Sequence, residues 1–235
     1  MGKNFTFSFC FSLAYSYLWL RRKYFRSGKQ RKTSFPLVFR SLIRTFALVN
    51  RVTRAFVWLS RIHRCRGFGI QSPTDYSFVR DVVNEQRPYY AYGEVGLADD
   101  WLHRKLGLLY LRLANYMQPD IISDLAGYAD YLSAGCRKAS IVNDLTPPTS
   151  HLTPLTSHLS PPTSLIIAHS DDVTPTLLSQ CGEKTMLVVE DIGHHKELWH
   201  EVEQWPAVTV AFDLYYCGIA TFNPQRAKQH YIVNF

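Results

Sequence analysis

Four short apolar runs constrain the fold more than any other feature of the chain. Ile121–Leu125, Ser140–Asn143, SLIIAH (164–169) and TMLVVED (185–191) are the length of strands and rich in the aliphatic residues of buried ones. Between the first two, Ala126 and Gly127 turn the chain, and Asp130–Arg137 reads as a short helix. Residues 121–143 are therefore a strand–helix–strand unit whose second strand ends at Asp144. A short helix separates the last two runs, and another spans about His195 to Gln204. AVTVAFDL and CGIATFN then read as a terminal hairpin. Alternating strands and helices ending in an antiparallel pair predict an α/β protein with a doubly wound sheet.

Upstream of the sheet, Trp101, Leu102, Leu106, Leu109, Leu113 and Met117 line one side of a helix over Asp99–Gln118, stopped by Pro119. Ser72, Pro73 and Asp75 are the cap, first residue and acidic first turn of an earlier helix, whose apolar face is Tyr76, Phe78, Val79, Val82 and Val83. Gly67 and Gly69 follow no strand, which argues against a phosphate loop. Tyr89, Tyr90 and Tyr92 fall in a loop, where they either line a pocket or pack on the body.

Between the second and third runs lies a seven-residue unit written nearly three times, TPPTSHL, TPLTSHL and SPPTS, over Thr146–Ser164. Five of the 12 prolines sit in it (Pro147, Pro148, Pro154, Pro161 and Pro162). Proline fits neither a helix interior nor a central strand, so the repeat reads as an exposed, extended loop.

Charge divides the chain. Residues 1–66 carry 15 Lys and Arg and no Asp or Glu, while the rest carries 11 Lys and Arg against all 19 acids. This basic N-terminal arm contains an apolar, aromatic segment over residues 5–20, followed by RRKYFR, and a basic amphipathic helix over about 37–62. Its apolar positions are Leu42, Phe46, Val49, Val52, Phe56 and Leu59. The arm suits an anionic partner, a membrane surface or nucleic acid; the alternative is a helix whose apolar face packs on the body. Segment 5–20 is short for a membrane span, and its main charge follows the apolar run instead of preceding it as in a signal peptide. Five scattered cysteines without a CxxC pair argue against a disulfide framework or zinc site and fit reduced thiols. The expectation is a cytoplasmic protein, associated with a membrane through the arm where the arm binds lipid.

Two stretches, RGFGIQSPTDYSFVRDVV and the run from MLVVEDIGHHKELWHEVEQW to the C-terminus, carry a family likeness. Over roughly residues 62–235 the chain resembles class I S-adenosylmethionine-dependent methyltransferase-like proteins of Bacteroidetes-type bacteria. The resemblance implies a Rossmann-like sheet of seven strands, the last antiparallel, with S-adenosyl-L-methionine as cofactor. It places cofactor contacts at Asp124, Gly127 and Asp144, the last toward the ribose hydroxyls. The family's acid-x-Gly-x-Gly turn is here Asp124-Leu125-Ala126-Gly127-Tyr128, with one glycine and a bulky Tyr128. The repeat occupies the place of the family's third strand, so the second strand should stand at the sheet edge with one wall of the cofactor site missing.

Relatives that use a metal place acids after the fourth and fifth strands. Here those strands end in His169 with Asp171 and Asp172, and in Glu190-Asp191 with His194 and His195. Carboxylates beside imidazoles can hold a divalent ion or act as a base toward a substrate hydroxyl, with Asp191 the candidate catalytic residue. Two function classes follow: a methyltransferase, or a non-enzymatic binding module that keeps the fold and docks through its basic arm.

Overall fold

The structure, a computed structural model, describes residues 51–65, 67–143 and 162–235. The chain divides into two compact units, Met1–Ala55 and Phe56–Phe235. The apolar segment 5–20, most of the predicted amphipathic helix, and Asp144 with most of the repeat lie outside the described residues. Residues 51–60 are helical, so the described part of the amphipathic helix ends before residue 62. Among the described residues, no helix is long and apolar enough to cross a membrane.

Beyond residue 65, the α-helices among the described residues are α1 (Pro73–Phe78), α2 (Trp101–Met117), α3 (Ala129–Gly135), α4 (Pro175–Gln180) and α5 (Lys196–Gln204). Their ends follow local chemistry. The Ser72 hydroxyl accepts the Asp75 N–H ahead of Pro73, and the Asp100 carboxylate accepts the Leu102 N–H. Gln118 takes a left-handed conformation (φ 46°) that ends α2 before Pro119.

Among the described residues, seven strands form one mixed sheet: β1 (Ile121–Asp124), β2 (Ser140–Val142), β3 (Ser164–His169), β4 (Thr185–Glu190), β5 (Val210–Asp213), β6 (Cys217–Thr221) and β7 (Gln229–Ile232). Their order is β2-β1-β3-β4-β6-β5-β7. β1 pairs in parallel with β2 and β3, and β3 with β4. β6 runs antiparallel between β4 and β5, and β5 pairs in parallel with β7. The predicted hairpin is thus β5–β6, but it is not terminal. The antiparallel strand is the sixth, and the chain returns to add β7 along the outer side of β5. β2 stands at the sheet edge, with no strand beyond it among the described residues.

Alternation along the strands sorts the core into two layers. Leu165, Ile167, Met186, Val188, Phe212 and Ile219 pack with α2 and α3 on one face. Ile166, Ala168, Leu187, Val189, Ala211 and Ala220 pack with α4 and α5 on the other. The repeat's last residue, Ser164, opens the predicted strand SLIIAH. Ser164 is buried as the first residue of β3, its hydroxyl 2.8 Å from that of Thr185 on β4. Short hydroxyl side chains can satisfy one another inside a sheet.

Candidate functional site

From β1 the chain passes to β2 on one side, while β3 lies on the other, so the carboxyl ends of β1, β3 and β4 border the point where strand order reverses. In open α/β sheets this crevice is where ligands bind. Asp124, His169, Glu190 and Cys217 all lie here on the α2 face: His169 pairs with Glu190 across β3–β4, and Glu190 with Cys217 across β4–β6.

Asp124 is buried, and its carboxylate is occupied by the turn that follows it. Oδ1 accepts the N–H groups of Ala126 (3.2 Å) and Gly127 (2.9 Å), and Oδ2 accepts that of Tyr128 (2.7 Å). Gly127 has φ +84° and open space where a Cβ would stand. The turn needs glycine for its conformation, not for close approach of another group.

Tyr128 turns inward and is 3% exposed. Its ring stacks on His103 of α2 at 4.2 Å and meets Tyr110 edge-on at 4.7 Å. This aromatic filling is held at both ends by acids. On one side the Asp99 carboxylate bonds His103 Nδ1 (3.0 Å) and accepts the Tyr131 hydroxyl (2.6 Å). These two bonds, Tyr131's first, hold the Asp99 carboxyl below its ordinary pKa. On the other side the Tyr110 hydroxyl donates to Glu190 Oε1 (2.6 Å), and His169 Nδ1 lies 3.2 Å from Oε2. Burial, and then the Glu190 carboxylate, push the Tyr128 hydroxyl's pKa up; burial does the same first for Tyr110 and Cys217, with Glu190 adding to it. The three groups are therefore neutral, and of them the Tyr110 hydroxyl donates to the buried Glu190 carboxylate.

The tyrosine-rich loop packs on the body rather than lining the crevice. Tyr89 and Tyr92 stack at 5.5 Å, the buried Arg112 donates to the Tyr92 hydroxyl (2.8 Å), and Arg104 donates to the carbonyls of Tyr92, Val95 and Gly96. Tyr90 alone of the three is exposed.

Asp191 follows β4 in a left-handed conformation (φ 59°). Its N–H donates to the Tyr216 carbonyl at 2.8 Å, and its exposed carboxylate bonds His194 with His195 Nε2 3.7 Å away. The acid thus meets histidines of its own loop instead of the Asp124–Glu190 row. Asp144 is outside the described residues. Among the described residues no three His, Cys, Asp or Glu side chains gather as a metal site.

The structure adds Tyr110 and His103, which the sequence reading passed over. Tyr110 falls on the α2 stripe four residues after Leu106, and a tyrosine on a buried stripe needs a partner for its hydroxyl. That was the available signal for a polar group beneath it. A cavity of about 310 Å³ opens at the opposite end of the strands, bordered by Asp75, Phe78, Met186, Phe212 and Arg226. There the buried Asp75 is already bound by Arg226 (2.6 Å) and the Tyr231 hydroxyl (3.2 Å). No protein-family model, no curated protein and no solved structure matches the chain.

Proposed function

We propose that the chain is a methyltransferase-like α/β module that no longer takes S-adenosyl-L-methionine and works by binding a partner rather than by methyl transfer. Tyr128 carries the reading. It stands where the related turn has its second glycine, and its ring fills the space beside the carboxyl end of β1 against Tyr110 and His103. A cofactor entering there would have to displace a buried aromatic stack. Two further observations agree. The Asp124 carboxylate already accepts three backbone N–H groups of its own turn, and β2 has no neighbour beyond it among the described residues to support a wall of the site. Partner contact is assigned to the basic arm, residues 1–66, acting on an anionic surface.

Calorimetric titration of the full chain with S-adenosylmethionine and with its demethylated product tests this. The expected outcome is no saturable binding. Sub-micromolar affinity that Asp144→Ala weakens restores the methyltransferase reading, with Asp124, Gly127 and Asp144 as cofactor contacts and Asp191 as the catalytic candidate.

One observation favours a second, enzymatic reading. The His169 side chain is 51% exposed while the Glu190 behind it is 6% exposed. An imidazole oriented by a buried carboxylate is a suitable general base toward a hydroxyl. Methyl transfer from labelled S-adenosylmethionine that His169→Asn abolishes would establish it.

A further inference from the structure

Residues 56–65 are fastened to the body through polar groups, and Phe56, Trp58, Leu59 and Ile62 are left outside. The Arg61 guanidinium donates to the Asp213 carbonyl (3.0 Å) and to its carboxylate (3.0 Å), with Val233 O at 3.3 Å. The Asn234 side-chain amide donates to the Trp58 carbonyl (3.2 Å), and Cys65 bridges Asn234 beside β7. Arg61 and Val57 are accordingly half-buried. Phe56 is 69% exposed, Leu59 55%, Trp58 48% and Ile62 48%. An amphipathic helix serving its own core has the reverse arrangement, apolar side inward and charges outward. The alternative of an apolar face packed on the body therefore fails for this segment. An exposed apolar face held in place by the Arg61–Asp213 ion pair marks a contact surface.

We propose that Phe56, Leu59 and Ile62 form a docking face for an anionic lipid surface. Charge selects this occupant. The first 66 residues carry 15 positive and no negative formal charges, and the first acid in the chain is Asp75. A second copy of the chain would bring basic arm against basic arm, which like-charge repulsion opposes. Nucleic acid would satisfy the arginines through its phosphates, but a row of three apolar side chains suits acyl chains better than a duplex backbone. An anionic bilayer interface answers both features, phosphate headgroups for the arginines and acyl chains for the apolar side chains, with Trp58 suited to the boundary between them. This inference is independent of whether the sheet binds a cofactor.

Flotation of the full chain with vesicles of phosphatidylcholine and phosphatidylserine, against phosphatidylcholine alone, tests it at low and high salt. The expected result is binding to the anionic vesicles with a fraction that survives high salt, because charge attraction is screened while apolar insertion is not. The variant F56S/L59S should lose that fraction, partition weakening about tenfold for each side chain removed. Its circular dichroism and melting should match the parent, since both side chains are exposed. Equal binding by parent and variant, or binding wholly lost in salt, overturns the proposal in favour of a purely electrostatic contact, including one with nucleic acid. No binding by the parent overturns it outright. A concentration-dependent dimer in the parent that the variant lacks assigns the face to a second copy instead. None of these outcomes depends on the titration with S-adenosylmethionine.

Discussion

Asp99 and Glu190 bracket the filled crevice, and they differ in burial. Glu190 is buried beneath Tyr110 and His169, whereas Asp99 sits at the surface and fixes Tyr131 and His103 from outside. The Asp99 carboxyl titrates below its ordinary range because the Tyr131 hydroxyl, and then His103, bind its ionised form. A depressed folded-state pKa means that the unfolded chain takes up this proton first as pH falls. The Asp99 contribution is therefore complete above the ordinary carboxyl pKa of about 3.9 and is lost as pH drops through the folded value. Tyr131→Phe removes the first cause of the shift. Denaturant midpoints followed from neutral pH to about pH 2 should fall less steeply with acid in that variant than in the parent. Parallel curves would show that the Asp99 bonds add nothing to stability. His103 couples this lock to the crevice, since the ring that bonds Asp99 is the one stacked on Tyr128.

Among the elements, α5 is fixed to the sheet at a point without slack. The Trp199 indole of α5 lies over Gly218 of β6, where a Cβ would come within 2.4 Å of the ring. Gly218→Ala should therefore destabilise the protein by about 1–3 kcal/mol through overpacking, read as a lowered denaturant midpoint with unchanged slope. An unchanged midpoint would mean that the indole shifts freely. Elements of this kind were legible in the sequence as far as their periodicity reached. The runs at 164–169 and 185–190, the stripe of α2 and the cap at Ser72 follow from residue type and spacing, and each stands where those rules put it. β7 escaped because Gln229–Ile232 is a short outer strand, three of its four residues exposed, with no apolar alternation to reveal it. Between the two directions in which residues 56–62 can face, the sequence does not decide, for a different reason. Spacing discloses that an apolar stripe exists, but not which side meets the body; that is decided by Asp213, 152 positions along the chain from Arg61. The inward turn of Tyr128 likewise depends on His103 and Tyr110 being beneath it, a fact of tertiary packing that the turn sequence alone does not contain.

For the molecule as a whole, strand order gives the repeat a geometric task. β2 and β3 both run parallel to β1 from opposite sides, so the chain must leave the top of β2, cross β1 and re-enter at the bottom of β3. Ser140 and Ser164 stand level, each paired with Ile121, which puts Pro162 about five residue steps below Asn143 and two strand spacings across. The separation is about 19 Å in a straight line through β1, and longer around it. Eighteen residues, 144–161, cover this path. Deleting one repeat unit, Thr146–Leu152, leaves 11 residues with a reach of about 40 Å, enough to make the crossing. That variant should fold with a stability within about 1 kcal/mol of the parent, because loop length enters only logarithmically. Deleting both full units, Thr146–Leu159, leaves four residues with a reach of about 17 Å, too short even for the straight path. Its chain must pull β2 off β1 or draw β3 out of the centre of the sheet. The expected outcome is a sharp contrast in thermal melting: cooperative unfolding near the parental temperature for the single deletion, and a weakened or absent transition for the double. A double deletion that melts like the parent would mean that β2 adds little to the sheet, and that the edge strand can be released without cost to the core.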